Sequence, residues 1–199
     1  MQKTNILLCM LLAAGALAAC NMQKEEHWAW QEFERPEGVN PILSPDSTVK
    51  FLCPMRGDSV GWMESDVFNP AATIKDGNVV VVFRAEDNSA VGIGTRTSRL
   101  GFATSHDGLH FTYESTPILY PDNDSQSELE QPGGCEDPRI AMTEDGLYVM
   151  CYTQWNRKQA RLAVATSRDL KTWQKHGPAF AKAYDGRFKD DFSKSASIV

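Results

Sequence analysis

The segment Gly133-Gly134-Cys135-Glu136-Asp137-Pro138-Arg139-Ile140 carries residue types suited to proton transfer. Asp137 follows two glycines, which let the backbone bend sharply. It precedes a proline, which removes a ladder donor and suits the start of a strand. A carboxyl held there can act as a general acid once partial burial raises its pKa. The same residues also suit a plain Glu136–Arg139 ion pair at a strand end. A second cluster, Arg84-Ala85-Glu86-Asp87, closes an apolar strand, and Arg99 opens the next. Guanidinium and carboxylate groups together can grip the hydroxyls of a sugar ring; the alternative is a surface charge cluster. Trp62 and Trp155 offer faces that stack on sugars or fill a core.

Short strands must position these groups. Asn78–Arg84 is a β-branched run opened by the turn signal Asp76-Gly77, Arg99–Ser105 is another, and His110–Glu114 alternates apolar and polar. No window has helical periodicity. The strands recur at roughly 65-residue spacing, as solenoids and propellers do. Asn69-Pro70-Ala71 returns as Asp137-Pro138-Arg139, DGNVVVVF as DGLYVMCY, and RLGFATSHD as RLAVATSRD. The repeated Ser-x-Asp turns, Ser105–Asp107 and Ser167–Asp169, are read as structural. Four-stranded units in tandem predict an all-β chain of β-propeller type, and propellers close with four to eight blades. The chain holds two such units, and Lys194–Val199 reads as the first strand of a third, so the sequence is expected to be C-terminally incomplete. The first strand of each blade lines the central channel. The matching positions there hold Asn69, Asp137 and Lys194, an amide, an acid and a base. Such divergence at equivalent positions points to a polar pocket rather than to packing.

The 199 residues and net charge of −6 set the outer limits. The acidity argues against a nucleic-acid binder. Cysteines 9, 20, 53, 135 and 151 have neither metal-ligand spacing nor the look of a disulfide framework; no metal or cofactor is implied. Residues 1–20 read as a secretory leader: Lys3, an apolar run, then Leu17-Ala18-Ala19-Cys20. That ending resembles a bacterial lipoprotein box, with Cys20 lipidated and the protein exported and held to a membrane. Residues 21–45 read as a polar tether, and 46–199 as the propeller domain.

Phe83–Asp87 (FRAED), Ser98–Gly108 (SRLGFATSHDG), Val67–Ala71 and GGCEDPRI resemble glycoside hydrolase family 130, over about residues 40–199. The resemblance implies a five-bladed propeller acting on β-linked mannosides. It implies that Asp137 is the general acid, protonating the leaving oxygen through a hydroxyl of the mannose. It places Asn69, Arg84, Asp87 and Arg99 around the terminal mannose. Family members that are phosphorylases use inorganic phosphate, for which Arg161, Lys175 and Lys194 are the basic candidates here. Those enzymes often carry Arg where this chain has Lys175, a poorer bidentate clamp. Hydrolases use water and a carboxylate base, set 6.5–9.5 Å from the acid in inverting enzymes and expected beyond Val199. Export favours hydrolysis, since a sugar phosphate is useful inside the cell. The expectation is therefore an inverting, exo-acting β-mannosidase, with β-1,2 linkage by analogy. The alternatives are a β-mannoside phosphorylase and a non-catalytic mannoside-binding propeller.

Overall fold

The computed structural model describes residues 33–198. The expected leader, its Cys20 and most of the tether lie outside the described residues. Contacts divide the chain into Met1–Arg35 and Pro36–Val199. In the second unit Leu43 already packs against a buried cluster, so the domain's contacts begin before residue 46. No helix among the described residues is long and apolar enough to cross a membrane.

Ten strands follow: β1 (Phe51–Cys53), β2 (Asp58–Val60), β3 (Asp66–Lys75), β4 (Asn78–Glu86), β5 (Ser98–Ser105), β6 (Thr112–Tyr113), β7 (Gly134–Met142), β8 (Tyr148–Trp155), β9 (Ala160–Ser167) and β10 (Gln174–Pro178). One helical turn, α1 (Ser127–Glu130), lies in the connection before β7. Strands β3 to β6 form one antiparallel meander and β7 to β10 a second. These are the two four-stranded units expected from the repeat. The turn chemistry repeats too. Asp76 and Gly77 both take positive φ, 50° and 76°, which the tight β3–β4 hairpin requires. Asp107 and Asp169 each accept backbone N–H bonds from the residues two and three positions on. Both therefore close their turns, as the repetition of the Ser-x-Asp sequence implied.

The two units meet at a single parallel pair, Ser98 with Gly134. Ser98 N–H donates to the Gly133 carbonyl at 2.8 Å. Gly134 sits at φ 123°, and a Cβ on it would lie 2.1 Å from the Ser98 carbonyl oxygen. Only glycine lets the second blade approach the first this closely.

Strand parity sorts the side chains. Val80, Val82 and Leu100 face one way and pack with Leu119, Cys135, Met150 and Tyr152 of the second meander and its connection. Val81, Phe83 and Ala85 face the other way, onto Phe51, Cys53, Trp62 and Met63 from the β1–β2 segment. Trp62 is fully buried and donates its Nε1–H to the Ser115 carbonyl at 2.9 Å, so it fills the core. Lys194–Ile198, expected to open a third blade, forms no strand. A blade's first strand is held by its second, and no second strand follows within the described residues. Ser193 N–H donates to the Ala160 carbonyl at 3.1 Å, at the start of β9.

Candidate active site

The site is made by one backbone irregularity occurring twice. In β3 the register with β4 jumps between Phe68 and Ala71; in β7 the register with β8 jumps between Glu136 and Arg139. Each bulge holds a residue at positive φ followed by proline: Asn69 at 45° and Asp137 at 51°. Asparagine and aspartate are the non-glycine residues that best accept this conformation. The proline has no N–H to lose from the interrupted ladder. Bulges re-aim side chains, and these two converge: Asn69 Nδ2 donates to Asp137 Oδ1 at 2.8 Å. Ser195 shares the positive φ, 60°. Lys194, the expected third position, stands beside it, its Nζ 3.4 Å from Asp137 Oδ2.

Arg84 organises the cluster. It is 3% exposed and lies against the Phe68 ring, 4.6 Å from its centre. Its Nε donates to Ser98 Oγ at 3.1 Å, and its Nη1 to Asp137 Oδ1 at 3.1 Å. Nη2 meets Glu86 Oε1 at 2.5 Å and Glu136 Oε1 at 2.9 Å. Lys194, half exposed, brings Nζ to 3.4 Å from Asp137 Oδ2. Burial pushes the Asp137 carboxyl up, but the Asn69 hydrogen bond and the Arg84 and Lys194 charges outweigh it and hold the group below its usual value. Glu136 moves the other way. Burial raises it, the Asp137 charge adds to the rise, and Arg84 only partly offsets it.

The residues expected around a mannose divide into two groups. Asn69 and Arg84 join Asp137. Asp87 and Arg99 lie on the opposite face of the sheet, because Arg99 pairs across from Ala85 while Arg84 pairs across from Leu100. Arg99 is fully buried, its Nη1 2.9 Å from Asp87 Oδ2 and Nη2 3.4 Å from Cys53 Sγ. Asp87 also accepts backbone N–H bonds from Ser89 and Thr97. Burial raises Asp87, but Arg99 and these bonds more than reverse that. This pair fastens the β4–β5 loop.

Of the three basic candidates, only Lys194 stands beside Asp137. Lys175 Nζ is taken up by Glu130 Oε2 at 2.5 Å, Asp124 Oδ2 at 3.0 Å and the Tyr120 carbonyl at 2.8 Å. Desolvation lowers its pKa, but the carboxylates around it, Glu130 and Asp124, raise it above normal. Arg161 turns to Gln159 Oε1 at 2.7 Å and to the Lys189 carbonyl at 3.4 Å. The suggested Glu136–Arg139 pair does not form: Arg139 is exposed and donates to the Pro138 carbonyl, and Glu136 goes to Arg84. Trp155 caps the loop before β5, donating Nε1–H to the Gly94 carbonyl at 2.8 Å.

Ser98 is a member of the cluster that sequence reasoning did not select, and Glu86 was read there only as one of the charges closing the strand. The signal was present: residues 84 and 86 share a strand face, and Ser98 pairs directly with Glu86. A groove of about 580 Å³ lies elsewhere, lined in part by Tyr120, Asp124, Trp173 and Lys175. No member of the Asp137 cluster lines it. The Asp137 cluster, a convergence of buried charge from both meanders, lies apart from that groove. Among the described residues, no group of three or more His, Cys, Asp and Glu is placed to hold a metal.

A family model described as beta-1,4-mannooligosaccharide phosphorylase matches residues 41–195. A 1,2-beta-oligomannan phosphorylase from Thermoanaerobacter is 36% identical over 120 residues, covering 58% of this chain and 38% of its own length. A solved putative glycosidase from Bacteroides thetaiotaomicron is 74% identical with a TM-score of 0.83, covering 84% of this chain and 48% of that one. Another solved structure is 65% identical with a TM-score of 0.83, covering 85% of this chain and 47% of that one. It comes from work describing, within this family of mannoside phosphorylases, glycoside hydrolases that target beta-1,2 mannosidic linkages in Candida mannan. The chain thus spans about half the length of these solved relatives, or less in the curated case. The two meanders are blades of the five-bladed propeller of that family, and the chain belongs to glycoside hydrolase family 130.

Proposed function

We propose that this chain forms the acid-bearing part of an enzyme that cleaves β-linked mannosides, β-1,2 linkages first among them, with Asp137 as proton donor. One observation carries the reading: equivalent bulges of two successive blades aim Asn69 and Asp137 at one point, where Arg84 meets them. Asn69 and Arg84 are placed to grip sugar hydroxyls, with Phe68 under the guanidinium. A general acid must carry a proton at the working pH, and the free site holds Asp137 ionised. A neutral sugar seated on it excludes water and moves the half-exposed Lys194 off Oδ2. Both changes favour the protonated carboxyl. Asp87 and Arg99 act in this reading through the loop they hold.

The attacking group is phosphate or water. The family description and both curated relatives, the second a Beta-1,2-mannobiose phosphorylase, favour phosphate. This runs against the hydrolase expected from the leader. Lys194 is then the phosphate-side cation of this chain. Water is favoured by a separate observation: Lys175 is engaged inside the protein with Glu130, and the 65% identical structure comes from work on hydrolases. The membrane anchor through Cys20 and export remain part of the proposal and rest on residues 1–20 alone.

The test uses the protein at its full encoded length with β-1,2-mannobiose, with and without phosphate. Mannose 1-phosphate formed only with phosphate assigns a phosphorylase; free mannose without phosphate assigns a hydrolase. Asp137→Asn is expected to lose at least about 10²-fold in kcat, the scale of general acid catalysis, while still unfolding in one cooperative transition. Wild-type turnover by that variant refutes the role of Asp137. Binding of mannobiose without turnover by the unaltered protein identifies a binding propeller.

A further inference from the structure

Behind Asp137, one hydroxyl is asked to serve two carboxyls. Ser98 Oγ lies 3.2 Å from Glu86 Oε1 and 3.3 Å from Glu136 Oε1, and it accepts from Arg84 Nε at 3.1 Å. A serine hydroxyl has a single hydrogen to donate. Two ionised carboxylates cannot both accept it in full, whereas a neutral carboxyl on one side, bringing its own hydrogen, satisfies both contacts. Charge leads to the same place. The groups facing this point are Glu86 from β4, Glu136 and Asp137 from β7, Arg84 from β4 and Lys194 from the C-terminal segment. Arg96 and Asp66 lie beside them, but Arg96 is bonded to Asp66, with its Nη1 3.8 Å from Glu86 Oε2. Three carboxyls therefore share Arg84 and Lys194, with Arg96 divided between Asp66 and the far oxygen of Glu86. All three are nearly dry: the Glu86 side chain is fully buried, that of Glu136 is 6% exposed and that of Asp137 10%.

We propose that Glu136 stands as a neutral carboxylic acid that donates its hydrogen to Ser98 Oγ, and that it is a positioning residue for Arg84 and, through Arg84, for Asp137. Glu86 makes the shorter contact with the guanidinium, 2.5 Å against 2.9 Å. The upward displacement of Glu136 by burial agrees with this assignment. The consequence is a division of one positive charge. With Glu136 neutral, Arg84 answers only Glu86 and Asp137. An ionised Glu136 would draw on the same guanidinium and set a second negative charge beside Asp137. The proposal rests on Asp137 as proton donor only for its catalytic consequence; the proton on Glu136 is independent of it.

Two measurements separate those claims. The first is a ¹³C titration of glutamate side-chain carboxyls in the full chain. One resonance is expected to titrate above the ordinary 4.5 and to vanish in Glu136→Gln. Its persistence in Glu136→Gln, or its loss in Glu86→Gln instead, overturns the assignment, as does a set of glutamates that all titrate normally. The second is activity at full encoded length across pH. Glutamine carries no charge, so in Glu136→Gln the limb for Asp137 is expected to stay where it is in the wild type, whatever the loss in rate. A moved limb means that Glu136 works as a carboxylate. Glu136→Leu removes the donor to Ser98 and is expected to raise KM and lower kcat together. Should mannosides prove not to be substrates, the titration still decides where the proton lies.

Discussion

Asn69 separates backbone from side-chain effects in a way that can be measured. Its φ of 45° is a conformation that costs an ordinary L-residue about 1–2 kcal/mol. Its amide also donates to the Asp137 carboxylate at 2.8 Å. Hydrogen bonds to charged groups contribute about 1.5–3 kcal/mol; because Asn69 is exposed, about 1 kcal/mol is the appropriate figure. Asn69→Gly removes the amide and keeps a backbone that accepts the bulge. Asn69→Ala removes the amide and imposes the strain. Glycine gives back about 0.5–1 kcal/mol through its freedom in the unfolded chain. The alanine variant should therefore be less stable than the glycine variant by about 0.5–1 kcal/mol, read from urea unfolding at pH 7. The hydrogen-bond part carries a pH signature. Asp137 has a depressed pKa, so its contribution is present above the unfolded value of 3.8 and is lost as pH falls through the lower folded value. Removing the Asn69 donor moves the folded pKa back up. The glycine variant's deficit should thus be full at pH 7 and shrink once Asp137 is protonated in both states. An alanine variant as stable as the glycine variant shows that the bulge is not strained; a deficit independent of pH shows that Asn69 does not act on the Asp137 charge.

Two further substitutions test the supports of the site. Gly134→Ala places a Cβ 2.1 Å from the Ser98 carbonyl at φ 123°, and the blade junction must separate; a loss of about 3 kcal/mol or more is expected in thermal unfolding, within the large-effect class of mutations. Lys175→Met leaves Glu130 buried without its cation, at a cost of about 3–5 kcal/mol. Adding Glu130→Leu should recover most of that stability, and phosphate dependence of turnover should be unchanged in the double variant if Lys175 serves the fold rather than the acceptor.

Much of this protein could be read from the chain alone, because local patterning dictates it. The β-branched run from Val79 to Val82, the Asp76-Gly77 turn and the recurrence of both near Asp145 give two meanders whichever way they pack. Asn-Pro and Asp-Pro at equivalent places mark the bulges, since few residues tolerate positive φ before a proline. Parity was also legible and separates Arg84 and Glu86 from Asp87 and Arg99, though charge proximity along the sequence suggested one cluster. Other features were decided only by tertiary structure. Lys175 lies far along the chain from Glu130, and nothing local indicates that a basic residue on an outer strand will be buried against it. The choice of Glu136 for Arg84 over Arg139 depends on the bulge, which turns neighbouring residues to different sides. The meeting of Asn69 with Asp137 needs two blades brought within 2.8 Å by the close approach at Gly134. Sequence period sets which face a side chain occupies; only packing sets which groups from distant strands share one charge.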